Sequence, residues 1–171
     1  MTDVPTIETS RLQMRGPTLN DFEAVAAFYA SDRSSPLGGP FSRREAWAKF
    51  AAQSGTWHLR GYGAWQLVEK ASGELVGCVG IFHPDGWLAP ELGWVLYDNG
   101  CGKDYAYEAA TAARAHWYTA LNKSDLISTI SPDNARSIAL AARLSATHEC
   151  DWDSPYGTTG VYRHPAPEAL Q

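Results

Sequence analysis

The sequence lacks the features that mark membrane, secreted or metal-binding proteins. No apolar run approaches the roughly 20 residues that a membrane-spanning helix requires. The N-terminal segment MTDVPTIETS has neither the basic nor the apolar region of a signal peptide. Three cysteines, Cys78, Cys101 and Cys150, are odd in number and widely spaced, unlike a disulfide framework, and the five histidines form no metal-ligand spacing with them. We therefore expect a cytoplasmic protein without a metal or a membrane partner.

Basic residues are also in short supply. The formal net charge is −5, so the chain lacks the basic surplus that nucleic-acid binding requires. At 171 residues, with 44% hydrophobic and 19% charged, the chain suits one globular domain spanning residues 1–171 and does not require two. Seven tryptophans and eight tyrosines exceed the needs of a core, so we expect some of them to line a pocket.

Periodicity and turn residues predict an α/β (α+β) fold. Apolar alternation and short apolar runs indicate strands at 7–15, 64–69, 75–83, 92–97, 126–130 and 158–162. Capping patterns place helix starts near Thr18, Ser42, Tyr105 and Asn134. An antiparallel meander followed by a βαβ unit predicts a mixed, mostly antiparallel sheet of about six to seven strands flanked by about four helices. Segment 31–41 is either a lid or only a long connection, and we expect residues 165–171 to fray.

The stretch from Pro90 to Trp117 organises the chain. A strand is followed by a loop that carries Gly100 and Gly102, and an alanine-rich helix begins at Tyr105. The unpaired N–H groups of a first helical turn and the helix macrodipole favour an anion, and a diphosphate suits such a site best. A plain connection between strand and helix, with glycines for the turn, explains the same spacing equally well.

Three motifs in this order resemble the RimJ/RimL-like branch of the GNAT N-acetyltransferases. The segment Thr9–Arg15 is similar to the "TxRLxLR" start of that branch, and Asn134–Ser137 resembles its Asn-x-x-Ser helix start. The acetyl-CoA motif of the family is Gln or Arg, two residues, Gly, one residue, then Gly or Ala, closed by an alanine and a Glu-Ala pair. It is matched here at Gly102, Tyr105, Ala106, Glu108 and Ala109. The resemblance implies the GNAT fold and direct transfer of an acetyl group from acetyl-CoA to a primary amine.

Two residues depart from the acetyl-CoA motif. Asn99 stands at the Gln/Arg position, and Asp104 replaces the second glycine. A carboxylate is electrostatically wrong where the backbone should approach a diphosphate. In one alternative the family register holds. In the other, which we favour, the loop has slipped, Gly100-Cys101-Gly102 forms the cradle and Asp104 is the helix N-cap. Asp104 is also the feature that favours a second function, a non-catalytic protein that binds CoA or a partner on this fold.

The resemblance also implies a donor site and two catalytic groups. The acetyl-CoA arm would lie along the central strand, where a backbone N–H also suits a developing oxyanion. The residues expected to bind it are Trp94, Val95, Leu96, Gly100, Cys101, Gly102, Lys103, Tyr105, Ala106 and Asn134, the last of which is equally explained as a helix cap. Glu91 is the candidate to accept the proton of the amine, and Ser137 the candidate to protonate the thiolate. Their plainer interpretations are a solvated carboxylate and a serine that bonds local backbone.

The acceptor itself cannot be chosen from the motifs. Four residues are candidates for its site, namely Tyr29, Trp65, His83 and Trp87, although core packing explains Trp65 equally well. We expect a primary amine, either on a small molecule or at a protein N-terminus, and a monomer or homodimer.

Overall fold

The computed structural model describes residues 4–155 and 157–170, whose strands form one mixed sheet. The strands are β1 (Ile7–Glu8), β2 (Leu12–Arg15), β3 (Ala64–Glu69), β4 (Leu75–Phe82), β5 (Glu91–Leu96), β6 (Ile127–Ile130), β7 (Thr147–Ser154) and β8 (Gly157–Arg163). The α-helices of the same residues are α1 (Phe22–Ala30), α2 (Arg43–Arg60), α3 (Tyr105–Thr119) and α4 (Ala135–Arg143). Short 3-10 turns lie at Leu19–Asp21, Asp32–Leu37, Asp98–Gly100 and Pro167–Leu170. None of the described helices has the length and hydrophobicity needed to span a bilayer.

The sheet confirms the predicted class. Its strand order is β1-β2-β3-β4-β5-β6-β8-β7, and every neighbouring pair is antiparallel except the parallel pair β5 and β6. The described residues hold eight strands rather than the six to seven expected. The parallel pair is joined through α3, as a βαβ unit requires.

The strand prediction was wrong in two places. The single strand predicted at 7–15 is two strands, because the chain folds back at Thr9 and β1 pairs with β2. Strand β7 was missed, since its side chains are nearly all exposed and no apolar alternation marks it. The predicted frayed tail is anchored at its start, because the Tyr118 hydroxyl donates to the Pro165 carbonyl oxygen at 2.7 Å. Gln171 lies outside the described residues.

Small side chains let α3 lie close against the sheet, as predicted. Ala109, Ala110 and Ala113 are fully buried in the main core, which they share with the inward-facing residues of β2 to β5. Helices α1 and α2 cover the opposite face with a second core around Phe22 and Phe50. The sheet is therefore buried on both faces where it approaches the loop before α3.

Glu108, in the first turn of α3, anchors the helix to the N-terminal segment. Its Oε1 accepts hydrogen bonds from the hydroxyls of Thr9 (2.6 Å) and Ser10 (3.0 Å) and from the Arg11 N–H (2.8 Å). Its Oε2 accepts from Arg11 Nε at 2.7 Å. Burial alone would raise the pKa of Glu108, but these hydrogen bonds outweigh it and lower the pKa to about 2. The Thr-Ser-Arg motif is thus a structural clamp on the start of α3.

Replacing Glu108 should therefore destabilise the fold. We expect Glu108→Ala to lower the free energy of unfolding by about 1–3 kcal/mol, because several donors lose their acceptor at once. Glu23→Ala is the matched control, since Glu23 pairs with Arg43 while its side chain is 76% exposed, and it should change little. Urea unfolding followed by circular dichroism measures both. Equal losses in the two variants would contradict the clamp.

Candidate active site

A cleft opens where β5 and β6 separate. The two strands share a single bridge, between Glu91 and Ile127, and beyond it a cavity of about 890 Å³ lies between β5, α4 and the start of α3. It is lined by Phe28, Arg33, Pro36, Leu37, Trp94, Val95, Leu96, Cys101, Gly102, Asp104, Ala106, Tyr107, Asn134, Arg136, Ser137, Ala139, Leu140 and Arg143. Because these residues come from helices on both faces of the sheet, the cleft passes through the gap between the strands.

The exposed edge of β5 faces this gap. The Tyr97 N–H donates to the Val76 carbonyl oxygen of β4 at 2.9 Å, so the odd-numbered residues of β5 turn their backbone groups towards β4. The backbone groups of Trp94 therefore point the other way, into the opening. Beyond the Glu91–Ile127 bridge, no bridge joins this part of β5 to β6. The strand thus presents the backbone donors and acceptors of this edge to an extended ligand.

A buried hydrogen-bond chain holds the closed end of the gap. The Ser128 hydroxyl donates to the Leu92 carbonyl oxygen at 2.6 Å, so it accepts from His164 Nε2 at 3.0 Å. His164 Nδ1 then accepts from the Arg114 guanidinium at 3.4 Å. This arrangement requires a neutral imidazole. Burial, together with the nearby charge of Arg114, lowers the pKa of His164 to about 3 and keeps it neutral.

The loop before α3 forms a cradle of N–H groups. In the part of the chain that the structure describes, the backbone N–H groups from Gly102 to Tyr107 reach no acceptor. Gly102 adopts φ +74°, and open space surrounds the position of a side chain there. Three arginines line the same cleft (Arg33, Arg136 and Arg143) against the single carboxylate of Asp104. A chain of net charge −5 therefore presents a cationic cleft suited to an anionic ligand.

Asp104 occupies the N-cap position of α3, as one of the two predicted alternatives has it, but its side chain does not cap the helix. Its φ of +64° is the left-handed conformation that glycine adopts without strain. Its side chain makes no capping hydrogen bond and instead forms a bidentate salt bridge with Arg143, at 2.6 and 2.8 Å. Hydrogen bonding to Arg143 lowers the pKa of Asp104, which stays ionised. Gly100 does not belong to the cradle either, because it is buried and the Val76 carbonyl oxygen fills the space of a side chain.

Comparison with known proteins identifies the family. The model of the acetyltransferase (GNAT) domain matches residues 11–147. The chain belongs to the GNAT acetyltransferase family. An acetyltransferase structure from Agrobacterium tumefaciens is 36% identical, with a TM-score of 0.88 over 96% of both chains. A Vibrio cholerae structure assigned as a ribosomal-protein-serine acetyltransferase is 26% identical, with a TM-score of 0.77 over 98% of this chain and 100% of that chain.

A more distant structure shares the fold alone. The ribosomal L7/L12 α-N-protein acetyltransferase RimL, in complex with coenzyme A, is 17% identical, with a TM-score of 0.77 over 95% of this chain and 98% of that chain.

Most of the predicted donor-binding residues of this GNAT protein line the cleft, and three do not. Trp94, Val95, Leu96, Cys101, Gly102, Ala106 and Asn134 all border it. Gly100 is buried behind it. Lys103 Nζ lies 2.9 Å from Glu69, and the Tyr105 hydroxyl donates to the same carboxylate. The side chains of Lys103 and Tyr105 thus fasten the cradle loop to β3, and only their backbone N–H groups remain for a ligand.

Ser137 and Asn134 meet in the cleft at the start of α4. The Asn134 side-chain oxygen accepts from the Ser137 N–H at 3.1 Å, which shows that Asn134 caps the helix. The Ser137 hydroxyl oxygen accepts from the Trp94 indole N–H at 3.1 Å. Because the serine oxygen accepts in this bond, its own proton stays available to a ligand.

Glu91 is no solvated carboxylate. Its Oε2 accepts from the Trp87 indole at 2.6 Å, and its Oε1 accepts from the Thr129 hydroxyl (2.9 Å) and N–H (3.2 Å). Burial raises the pKa of Glu91, and the hydrogen bonds from Trp87 and Thr129 only partly oppose that shift. Successive side chains of a strand alternate, so Glu91 lies on the face of the sheet opposite to Leu92 and Trp94. Glu91 and Ser137 therefore flank the gap from opposite faces.

The four residues predicted for the acceptor site differ in their surroundings. Trp65 is 0% exposed and donates to the Pro5 carbonyl oxygen, so core packing, the alternative given for it, describes its position. Tyr29 is buried against Phe41. His83 is half-buried, with Nδ1 3.3 Å from the Tyr62 hydroxyl.

Trp87 alone of the four contacts a candidate catalytic residue. Its indole N–H donates to Glu91, and its ring packs edge-on against Trp152 of β7, with centroids 4.9 Å apart.

The arginines of the cleft were missed at the sequence level. Arg136 stands inside the Asn-x-x-Ser motif, and Arg143 follows it about two helical turns later on the same face of α4. That spacing was the available signal. Arg33 carried none, because it reaches the cleft from the 3-10 turn after α1, where its guanidinium donates to the Leu96 carbonyl oxygen at 2.8 Å.

The neutral His164 makes stability depend on pH. An unfolded histidine has a pKa near 6.5, so between about pH 6.5 and 3 the unfolded chain binds a proton that the folded chain excludes. Stability should fall as the pH drops through this range, by at most about 1.4 kcal/mol per pH unit. His164→Gln should start less stable near neutral pH and lose less on acidification, as urea unfolding at several pH values would show. His58→Gln, on the exposed end of α2, should keep the wild-type slope. An unchanged slope in His164→Gln would contradict the neutral imidazole.

Proposed function

We propose that this GNAT protein transfers the acetyl group of acetyl-CoA directly to a primary amine, on a small molecule or at a protein N-terminus. One observation carries the proposal. The N–H cradle before α3, the three arginines and the open edge of β5 all face the same cleft. A ligand with a diphosphate at one end and amide groups along an extended arm matches these donors and acceptors in order.

The residues present fit such a donor. The N–H groups from Gly102 to Tyr107 would hold the diphosphate, with Arg136 and Arg143 adding charge from α4. The backbone of Trp94 would pair with the amides of the arm. When bound, acetyl-CoA supplies an acyl group activated as a thioester.

Two side chains supply the proton transfers. The Ser137 hydroxyl, oriented by the Trp94 indole, would give its proton to the departing sulfur. Glu91, on the other face of the gap, would take the proton of the attacking amine. Burial raises its pKa, and a higher pKa makes the carboxylate a stronger proton acceptor. A backbone N–H on the open edge of β5 would stabilise the developing oxyanion.

The salt bridge between Asp104 and Arg143 weakens the argument that this protein binds CoA or a partner without catalysis. The negative charge of Asp104 is balanced by a guanidinium in the same cleft. For the acceptor, the 26% identical Vibrio cholerae protein, assigned as a ribosomal-protein-serine acetyltransferase, supports a protein over a small molecule.

Acetyl-CoA should stabilise the folded protein. A ligand that binds only the native state at a hundred times its Kd adds about 2.7 kcal/mol, so the melting temperature should rise. Thermal shift, calorimetry and thiol release with a panel of amines and peptides measure binding and turnover. Ser137→Ala should keep the acetyl-CoA affinity while lowering kcat. No thermal shift and no heat at millimolar acetyl-CoA would reject the function.

Removing the charge of Asp104 should tighten donor binding. Asn tolerates the same left-handed backbone, so Asp104→Asn changes charge without adding strain. The change removes an anion from the cradle and releases Arg143 for a phosphate, and both effects favour the donor. We expect acetyl-CoA to bind about three- to tenfold tighter at low salt and less so at high salt.

The control for this charge change is Glu23→Gln. Glu23 forms an arginine pair outside the cleft, on α1 and α2, and its loss should leave donor affinity unchanged. Equal or weaker binding of acetyl-CoA by Asp104→Asn in titration calorimetry would contradict the prediction.

A further inference from the structure

The ladder between β5 and β6 stops at a definite rung. The Ile127 N–H donates to the Pro90 carbonyl oxygen at 3.0 Å, as a parallel pair requires. A regular parallel ladder would continue two residues later, with the Thr129 N–H donating to Leu92 and the Trp94 N–H donating to Thr129. The ladder does not continue, because no bridge joins Gly93 to Thr129.

Side chains satisfy both halves of the first missing bond. The Thr129 N–H donates to Glu91 Oε1 at 3.2 Å, and the Leu92 carbonyl oxygen accepts from the Ser128 hydroxyl at 2.6 Å. The two backbone groups that should bond to each other are each occupied by a side chain. Buried backbone groups must have partners, so these two side chains remove the drive to extend the ladder.

Further hydrogen bonds hold the side chains of Glu91 and Ser128 in place. Glu91 is held on one face of the sheet by the Trp87 indole and the Thr129 hydroxyl. Ser128, on the other face, is held by the buried imidazole of His164. The gap is therefore braced from both faces at the point where the strands part.

The geometry points to Glu91 and Ser128 as positioning residues that keep the donor-binding edge of β5 open. They do so by capping the next rung, so that no bridge joins Trp94 to β6. This inference rests on the proposed function for its consequence, donor binding, and on backbone geometry alone for its mechanism. It gives Glu91 a task separate from accepting a proton, and it assigns Ser128 a part in donor binding although Ser128 does not line the cleft.

Without the caps, the freed Thr129 N–H and Leu92 carbonyl should bond to each other. The ladder would then lengthen, and the Trp94 N–H would donate to the Thr129 carbonyl oxygen. In the double variant Glu91→Ala/Ser128→Ala we expect amide exchange at Trp94, followed by NMR, to slow by about tenfold, and acetyl-CoA to bind about tenfold more weakly. Simple destabilisation would speed exchange at Trp94, so slower exchange is specific to ladder extension.

Three single variants complete the test. Ser128→Ala should shift both readouts in the same direction by a smaller amount, and it serves if the double variant does not fold. Glu91→Gln keeps an oxygen for the Thr129 N–H, so it should retain donor affinity while losing any base function. Trp87→Phe removes the indole N–H that holds the other oxygen of Glu91 and part of the ring that packs on Trp152, so it should change Trp94 exchange and donor affinity in the same direction as the double variant but by less.

The outcomes separate the inference from the proposed function. If wild-type protein fails to bind acetyl-CoA, the proposed function fails, and slower exchange at Trp94 in the variants still supports the caps. If wild-type protein binds acetyl-CoA and the variants show unchanged or faster exchange at Trp94, the inference is overturned.

Discussion

Two parallel strands, β5 and β6, share one bridge and then separate, and the cleft exists because they do. Separation leaves backbone groups without their usual partners, which is costly inside a protein. The fold meets this constraint at the point of parting with side chains from both strands. Further along, no bridge joins Trp94 to β6. The position of the cleft, its open edge and its two candidate proton carriers all follow from where the ladder stops.

The cleft is positively charged although the chain as a whole is negatively charged. The net charge is −5, yet three arginines line the cleft with a single carboxylate. That carboxylate, Asp104, occupies a left-handed position where glycine would be unstrained, and Arg143 balances it. The attraction of the cleft for an anionic donor therefore depends on where a few guanidinium groups lie. The Asp104–Arg143 salt bridge weakens that attraction by neutralising one of them.

Local signals were enough for much of the fold. The apolar run of β4, the glycine loop and the alanines of α3 predicted elements that the structure confirms, because each depends on its own neighbours in sequence. Strand β7 was not predicted, because it is an exposed edge strand with no buried face to require an alternation of apolar and polar residues. The sequence left Trp65 between a pocket wall and the core, and its full burial favours the core.

The sequence by itself determined the family, the mixed sheet and the segments that supply the cleft, because motif spacing and hydrophobic period are properties of short stretches. Only the tertiary structure decided which atoms meet. Asp104 pairs with Arg143, 39 residues away, and Glu91 reaches Thr129 38 residues along the chain. Such contacts are set by how helices and strands pack, and a side chain such as Asp104 could equally have capped its own helix. The physical reason is that hydrogen bonds and salt bridges depend on distance in space, to which separation along the chain is no guide.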